Sequence, residues 1–146
     1  MPITVLVADS KGSVRAACAR ILKPEKGIQI VGEAGSASQA LAAAMKYKPK
    51  VLLLDLALAQ PARGSSMLSA ISRNLPRTTV ILLTSGSSEN RILEALCCGA
   101  RGFIVTKKLR NFLPKAVRVV HAGEAWVPRK MVAKIIDRLV RLSRKG

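Results

Sequence analysis

The chain has 146 residues, with 25 Lys and Arg against 8 Asp and Glu and a formal net charge of +17. That length fits one domain able to bury roughly 70% of its unfolded surface, so no staple is needed to hold a core. Cys18, Cys97 and Cys98 form no disulfide framework or metal-ligand spacing, and no apolar run approaches membrane-spanning length, which excludes a disulfide-stapled secreted domain and a transmembrane one.

The N-terminus enters the β-like run Ile3 to Ala8 directly, and a helical pattern follows from Ser13 to Leu22. The next strand is predicted over Ile28 to Ala34. Ser36 then N-caps a helix from Ala37 to Tyr47, with Gln39 as its capping-box partner and Pro49 beyond its end. Val51-Leu52-Leu53-Leu54 is apolar at every position, as expected of a strand covered on both faces, and Asp55 ends it. Ala57 to Ser66, with Pro61 and Gly64, reads as a loop before a helix from Met67 to Arg73. A strand from Thr79 to Thr84, a helix from Asn90 to Cys98 closed by Gly99, a strand from Gly102 to Val105 and a helix from Leu109 to Ala122 complete five βα units.

After Gly123 the pattern changes. Pro128 can start a further helix in which Met131, Val132, Ile135, Ile136, Leu139 and Val140 recur at helical spacing among basic residues. Such a stripe packs on the parent domain, pairs with a second copy or docks to a partner. The expected organisation is a domain over residues 1–122 followed by a basic amphipathic helix or linker over 123–146. Reduced thiols and the lack of an export signal lead to the expectation of a cytoplasmic protein.

In a parallel doubly wound sheet the C-terminal strand ends converge on one edge, where ligand sites form. Here those ends carry Asp9 and Ser10, Asp55, and Thr84. The stretches VLVADS, IQIVGEAGSASQAL, KPKVLLLDL, VILLTS, GARGFIV and HAGEAWVP stand in the order of a known family, and over about residues 3 to 128 the chain resembles the receiver domains of bacterial two-component response regulators of the NarL/FixJ type. The resemblance implies a flavodoxin-like α/β fold: a single doubly wound five-stranded parallel sheet, order 2-1-3-4-5, with five helices plus the C-terminal amphipathic helix. It also implies that Asp55 accepts a phosphoryl group from a histidine kinase, that Thr84 and Phe103 are the switch pair, and that Asp9, Asp55 and the Ala57 backbone carbonyl hold Mg²⁺.

The sequence departs from the family at chemically important positions. Ser10 replaces the second acidic residue, and a neutral hydroxyl is a poor Mg²⁺ ligand beside a carboxylate. Thr106 stands where the family has its Lys. Lys107 follows and could substitute only after a one-residue backbone adjustment. Ala59 occupies the usual Pro position, with Pro61 later. The expectation is a non-enzymatic signalling module, impaired or atypical in phosphorylation at Asp55, that acts through protein contacts, either as part of a longer transcription regulator with DNA as a further partner or as a stand-alone receiver. A homodimer fits this reading; a membrane partner does not.

The alternative is a basic protein that binds nucleic acid or an acidic partner, reusing the fold without phosphorylation; with so few aromatics, contact would be mainly to phosphates. A metabolic enzyme is disfavoured: there is no G-x-G-x-x-G, P-loop or nucleophile elbow. His121 falls in the last helix of the βα series, far from Asp55, and Cys97-Cys98 is read as a pair of small residues filling a packed helix end.

Overall fold

The computed structural model describes residues 1–59 and 67–145. Five parallel strands, β1 (Ile3–Ala8), β2 (Ile28–Ala34), β3 (Val51–Asp55), β4 (Thr79–Thr84) and β5 (Gly102–Val105), form one sheet in the order β2-β1-β3-β4-β5. Central β3 pairs with β1 and β4, and Val51 to Leu54 are fully buried because helices cover both sides. Alternation along the strand divides the core. Val51 and Leu53 face the cluster built with α1 (Gly12–Leu22) and α6 (Leu109–His121). Leu52 and Leu54 face the cluster built with α2 (Ala37–Tyr47), α4 (Met67–Asn74) and α5 (Glu89–Cys97).

The capping signals act as read. Ser36 accepts from the Gln39 backbone N–H at 3.2 Å, and the Gln39 side chain accepts from the Gly35 N–H at 3.0 Å, a capping box displaced by one residue. Gly99, at φ +117, turns the chain out of α5 in a conformation that side chains rarely adopt.

Two elements differ from the sequence reading. The predicted loop from Ala57 begins instead as a helical turn, α3 (Leu56–Ala59); its remainder, 60–66 with Pro61 and Gly64, lies outside the described residues. The turn forms because Asp55 Oδ1 accepts from the Ala57 N–H at 3.0 Å while Leu56 and Ala59 bury their side chains. The Cys97-Cys98 pair does not fill a packed end: Cys98 is exposed and Cys97 half-buried, because α5 ends at Cys97 and Cys98 belongs to the turn toward Gly99.

Beyond α6 the chain returns along β5. Trp126 N–H donates to Arg101 O at 2.9 Å and Phe103 N–H donates to Trp126 O at 3.2 Å, forming a parallel bridge between Gly102 and Trp126. A Cβ on Gly102 would stand 2.5 Å from Trp126 O, so only glycine admits this approach. The last helix, α7 (Arg129–Lys145), sends Met131 into the core and pairs Lys134 Nζ with Glu89 Oε1 at 2.6 Å.

Candidate phosphoacceptor site

Strand register places the polar residues of the C-terminal edge. Ala8 stands level with Leu54, so Asp9 and Asp55 follow side by side on adjacent strands. Two residues at that level are about 4.8 Å apart in backbone, close enough for their charges to interact. Asp9 is buried, and its carboxyl is pushed above the usual range, first by burial and then by the Asp55 charge. Opposing this are the hydrogen bond from the Lys11 backbone N–H to Asp9 Oδ1, 2.8 Å, and the charges of Lys11 and Arg15.

Asp55 is half-buried, with both carboxylate oxygens engaged. Oδ1 caps the α3 turn at Ala57, and Oδ2 accepts from Ser10 Oγ at 3.3 Å. Ser10, at the position expected to depart from the family's acidic pair, therefore touches the Asp55 carboxylate itself. Thr84 is buried one residue beyond Leu83, the β4 partner of Asp55. Its Oγ1 accepts from the backbone N–H groups of Gly86, 3.3 Å, and Ser87, 3.0 Å, which engages the hydroxyl oxygen in the loop after β4. Phe103 is half-buried against the α2-α4-α5 side of the core, level with Leu82.

Thr106 is the first residue after β5 and opens a 3₁₀ turn, Thr106–Lys108. Since β5 lies two strand spacings from β3, about 9.6 Å, a side chain from this position must be long to reach Asp55. Threonine is too short. Lys107 is exposed in the same turn, and among the described residues no Lys or Arg forms an ion pair with Asp55.

Two basic residues not singled out by the sequence reading stand beside Asp9. Arg15 Nη1 donates to Asp9 O at 2.6 Å and its Nε pairs with Glu33 Oε1 at 3.4 Å, which ties α1 to β1 and β2. Lys11 and Arg15, four apart across the start of α1, face the acidic strand end from one side, a spacing visible in the sequence. His121, the exposed last residue of α6, is at the far end of its helix from the β5 turn.

The oxygen donors present suit Mg²⁺ in kind, because Asp9, Asp55 and the Ala57 carbonyl are hard ligands and the two carboxylates repel one another. Among the described residues no group of three His, Cys, Asp or Glu could hold a metal ion.

The profile of the response regulator receiver domain matches residues 5–118. The chain belongs to that family. The oxygen regulatory protein NreC of Staphylococcus haemolyticus strain JCSC1435 is 29% identical over 136 residues, covering 93% of this chain and 63% of NreC. The chain thus spans under two thirds of the length of the curated relatives it matches. Among solved structures, the signal receiver domain of the response regulator NarL from Mycobacterium tuberculosis is 28% identical with a TM-score of 0.73, covering 84% of this chain and 98% of that one. The isolated receiver domain of RcsB from Salmonella enterica serovar Typhimurium, 21% identical with a TM-score of 0.77 over 92% of this chain and 99% of that one, shares the fold. The flavodoxin-like sheet expected from the sequence is the sheet observed, with the α3 turn added to the expected helices. Receiver domains are two-component signalling modules that generally bind Mg²⁺ at their phosphorylation site. Among the described residues no helix of this receiver is long and apolar enough to cross a membrane.

Proposed function

We propose that this receiver is a signalling module with impaired phosphorylation at Asp55, which works through protein contacts in a form that does not depend on phosphotransfer. The single observation that carries this reading is the hydrogen bond from Ser10 Oγ to Asp55 Oδ2.

Phosphotransfer from a kinase phosphohistidine would form an Asp55 Oδ–P bond as the P–N bond breaks, with the imidazole as leaving group. The incoming group is anionic, so the step needs positive charge at Asp55. Mg²⁺ bound at Asp9, Asp55 and the Ala57 carbonyl would supply part of that charge by neutralising phosphoryl oxygens. Ser10 offers a neutral oxygen in place of a third carboxylate, which weakens the hold on the ion. Thr106 offers no cation. Thr84 and Phe103 keep the switch positions, and the pairing of Phe103 with Trp126 links that switch to the chain entering α7. The partners of this reading are a histidine kinase or another signalling protein, with DNA reached through the regulator to which the receiver belongs.

Incubation with Mg²⁺ and acetyl phosphate, read by intact mass, tests the proposal. The expected result is no adduct, with the parent matching Asp55→Asn. An adduct at millimolar Mg²⁺ that disappears in Asp55→Asn would overturn it.

A second reading, contact with phosphate polyanions, is favoured by the net charge of +17. It predicts DNA retention that falls steeply with salt and is the same in Asp55→Asn.

A further inference from the structure

The bridge between Gly102 and Trp126 lays the chain around Trp126 along the rim of β5, while α6 packs on one face of the same strand. Between them lies a groove of about 480 Å³. That volume is within the ~300–1,000 Å³ range of small-molecule sites. The chain is poor in aromatics, with two Phe, one Trp and one Tyr. Three of those rings, Phe103, Phe112 and Trp126, line this one groove. Phe112 and Trp126 meet at a tilt of 52° with centroids 5.8 Å apart, and Phe112 stays 38% exposed, so the packing of α6 does not use up its ring.

The polar groups narrow the ligand further. The Trp126 N–H and carbonyl are already paired with Arg101 and Phe103. Among the described residues the lining holds one cation, Lys108 at the end of the 3₁₀ turn, and no carboxylate. Lys108 is exposed and, among the described residues, forms no ion pair. The groove therefore offers apolar rings and a single positive charge. Its complement is a flat apolar body with a single negative charge.

We propose that this groove binds a small planar aromatic carboxylate, with its rings against Phe112 and Trp126 and its carboxylate on the Lys108 ammonium. Aromatic pairs favour tilted or offset contacts with centroids ~4.5–7 Å apart, so two rings already tilted to one another leave faces free for a third. An aliphatic acid would fill the space without that geometry, and a neutral ring would leave Lys108 in water alone. A protein partner would need roughly 800 Å² from this side, whereas the rings are gathered in one concavity. Binding here is independent of the reading of Asp55.

Calorimetric titration of the full chain with 2-naphthoate, followed also by the indole N–H NMR signal of Trp126, the single Trp of the chain, tests it. Binding should saturate and move the Trp126 signal, with 2-naphthamide and cyclohexanecarboxylate each about tenfold weaker. Lys108→Met should bring naphthoate down to the level of the amide and leave the amide unchanged. Arg110→Met, exposed on α6 and outside the lining, should change neither. Phe112→Ala should weaken naphthoate and naphthamide alike with an unchanged circular dichroism spectrum. The proposal is overturned by an unmoved Trp126 signal at millimolar naphthoate, by cyclohexanecarboxylate binding as tightly as naphthoate, or by a Phe112→Ala variant that binds as the parent does. Equal losses in the Lys108 and Arg110 variants would reduce the effect to the general attraction of a net charge of +17 and would also overturn it. So would a Trp126 signal that shifts with protein concentration and no probe present, since a second copy would then fill the groove.

Discussion

Ser10 Oγ donates to Asp55 Oδ2 across 3.3 Å, so the carboxylate proposed as phosphoacceptor is hydrogen-bonded to the residue proposed to weaken its metal site. The two residues sit at adjacent strand ends.

Restoring both missing charges should restore chemistry. Ser10→Asp with Thr106→Lys is expected to raise acetyl phosphate labelling of Asp55 by about 10²-fold, the effect of returning one preorganised charge-stabilising group. Ser10→Asp alone should do far less, because it adds a third negative charge without a cation. Intact mass spectrometry with Asp55→Asn as control reads both.

Asp9 gives stability a pH dependence of known sign. Its folded carboxyl titrates above the unfolded value, chiefly because it is buried, so folding takes up a proton and the native state gains stability as pH falls through the folded value toward about 3.9. Above the folded value the buried charge is a cost. Asp9→Asn, which keeps an oxygen to accept from the Lys11 N–H, should raise Tm at neutral pH, and the gain should vanish as pH falls below the ordinary carboxylate range. Thermal melts of both proteins across pH would show it.

The bridge between Gly102 and Trp126 leaves no room for a methyl group. Gly102→Ala should cost about 1–3 kcal/mol through overpacking against Trp126 O at 2.5 Å and Trp126 Cβ at 2.8 Å, read as a lower urea midpoint and altered Trp126 fluorescence.

The thiols should separate by reactivity. Burial pushes Cys18 up to about 12, which keeps it a protonated thiol in the folded domain, whereas Cys98 is exposed. A thiol reagent followed by peptide mapping should label Cys98 in the native state and Cys18 only on unfolding.

Removing the apolar anchor of α7 should loosen the helix. Met131→Ala is expected to cost about 2–5 kcal/mol of local and global stability, with faster amide exchange confined largely to α7.

The strands were legible because burial on both faces writes itself as unbroken apolar runs, and Val51 to Leu54, apolar at every position, form the central strand of the sheet. The Ser36 cap acts within a few residues of sequence, so local reading reaches it. Contacts made across the chain are different in kind. The α3 turn depends on the hydrogen bond that the Ala57 N–H donates to the Asp55 side chain, and the place of Arg15 depends on Asp9, just past β1, and Glu33, on β2. Trp126 reads as part of a linker until β5 is beside it. At the site, the sequence raised the Ser10 and Thr106 departures as expectations. Only the fold brought Ser10 onto the Asp55 carboxylate.

The Trp126 bridge bears on how this sheet ends. An open parallel sheet has two rims whose free backbone groups can recruit a strand from another molecule, the first step toward aggregation. On the β5 rim, Trp126 takes up the Arg101 carbonyl and the Phe103 N–H, so an incoming strand finds those groups occupied. On the β2 rim, the register against β1 shifts at Val31, between Ile30 and Gly32, and the charged Glu33 follows, so the edge is irregular where it would otherwise be flat. By these two devices the sheet discourages copies of the chain from meeting strand to strand.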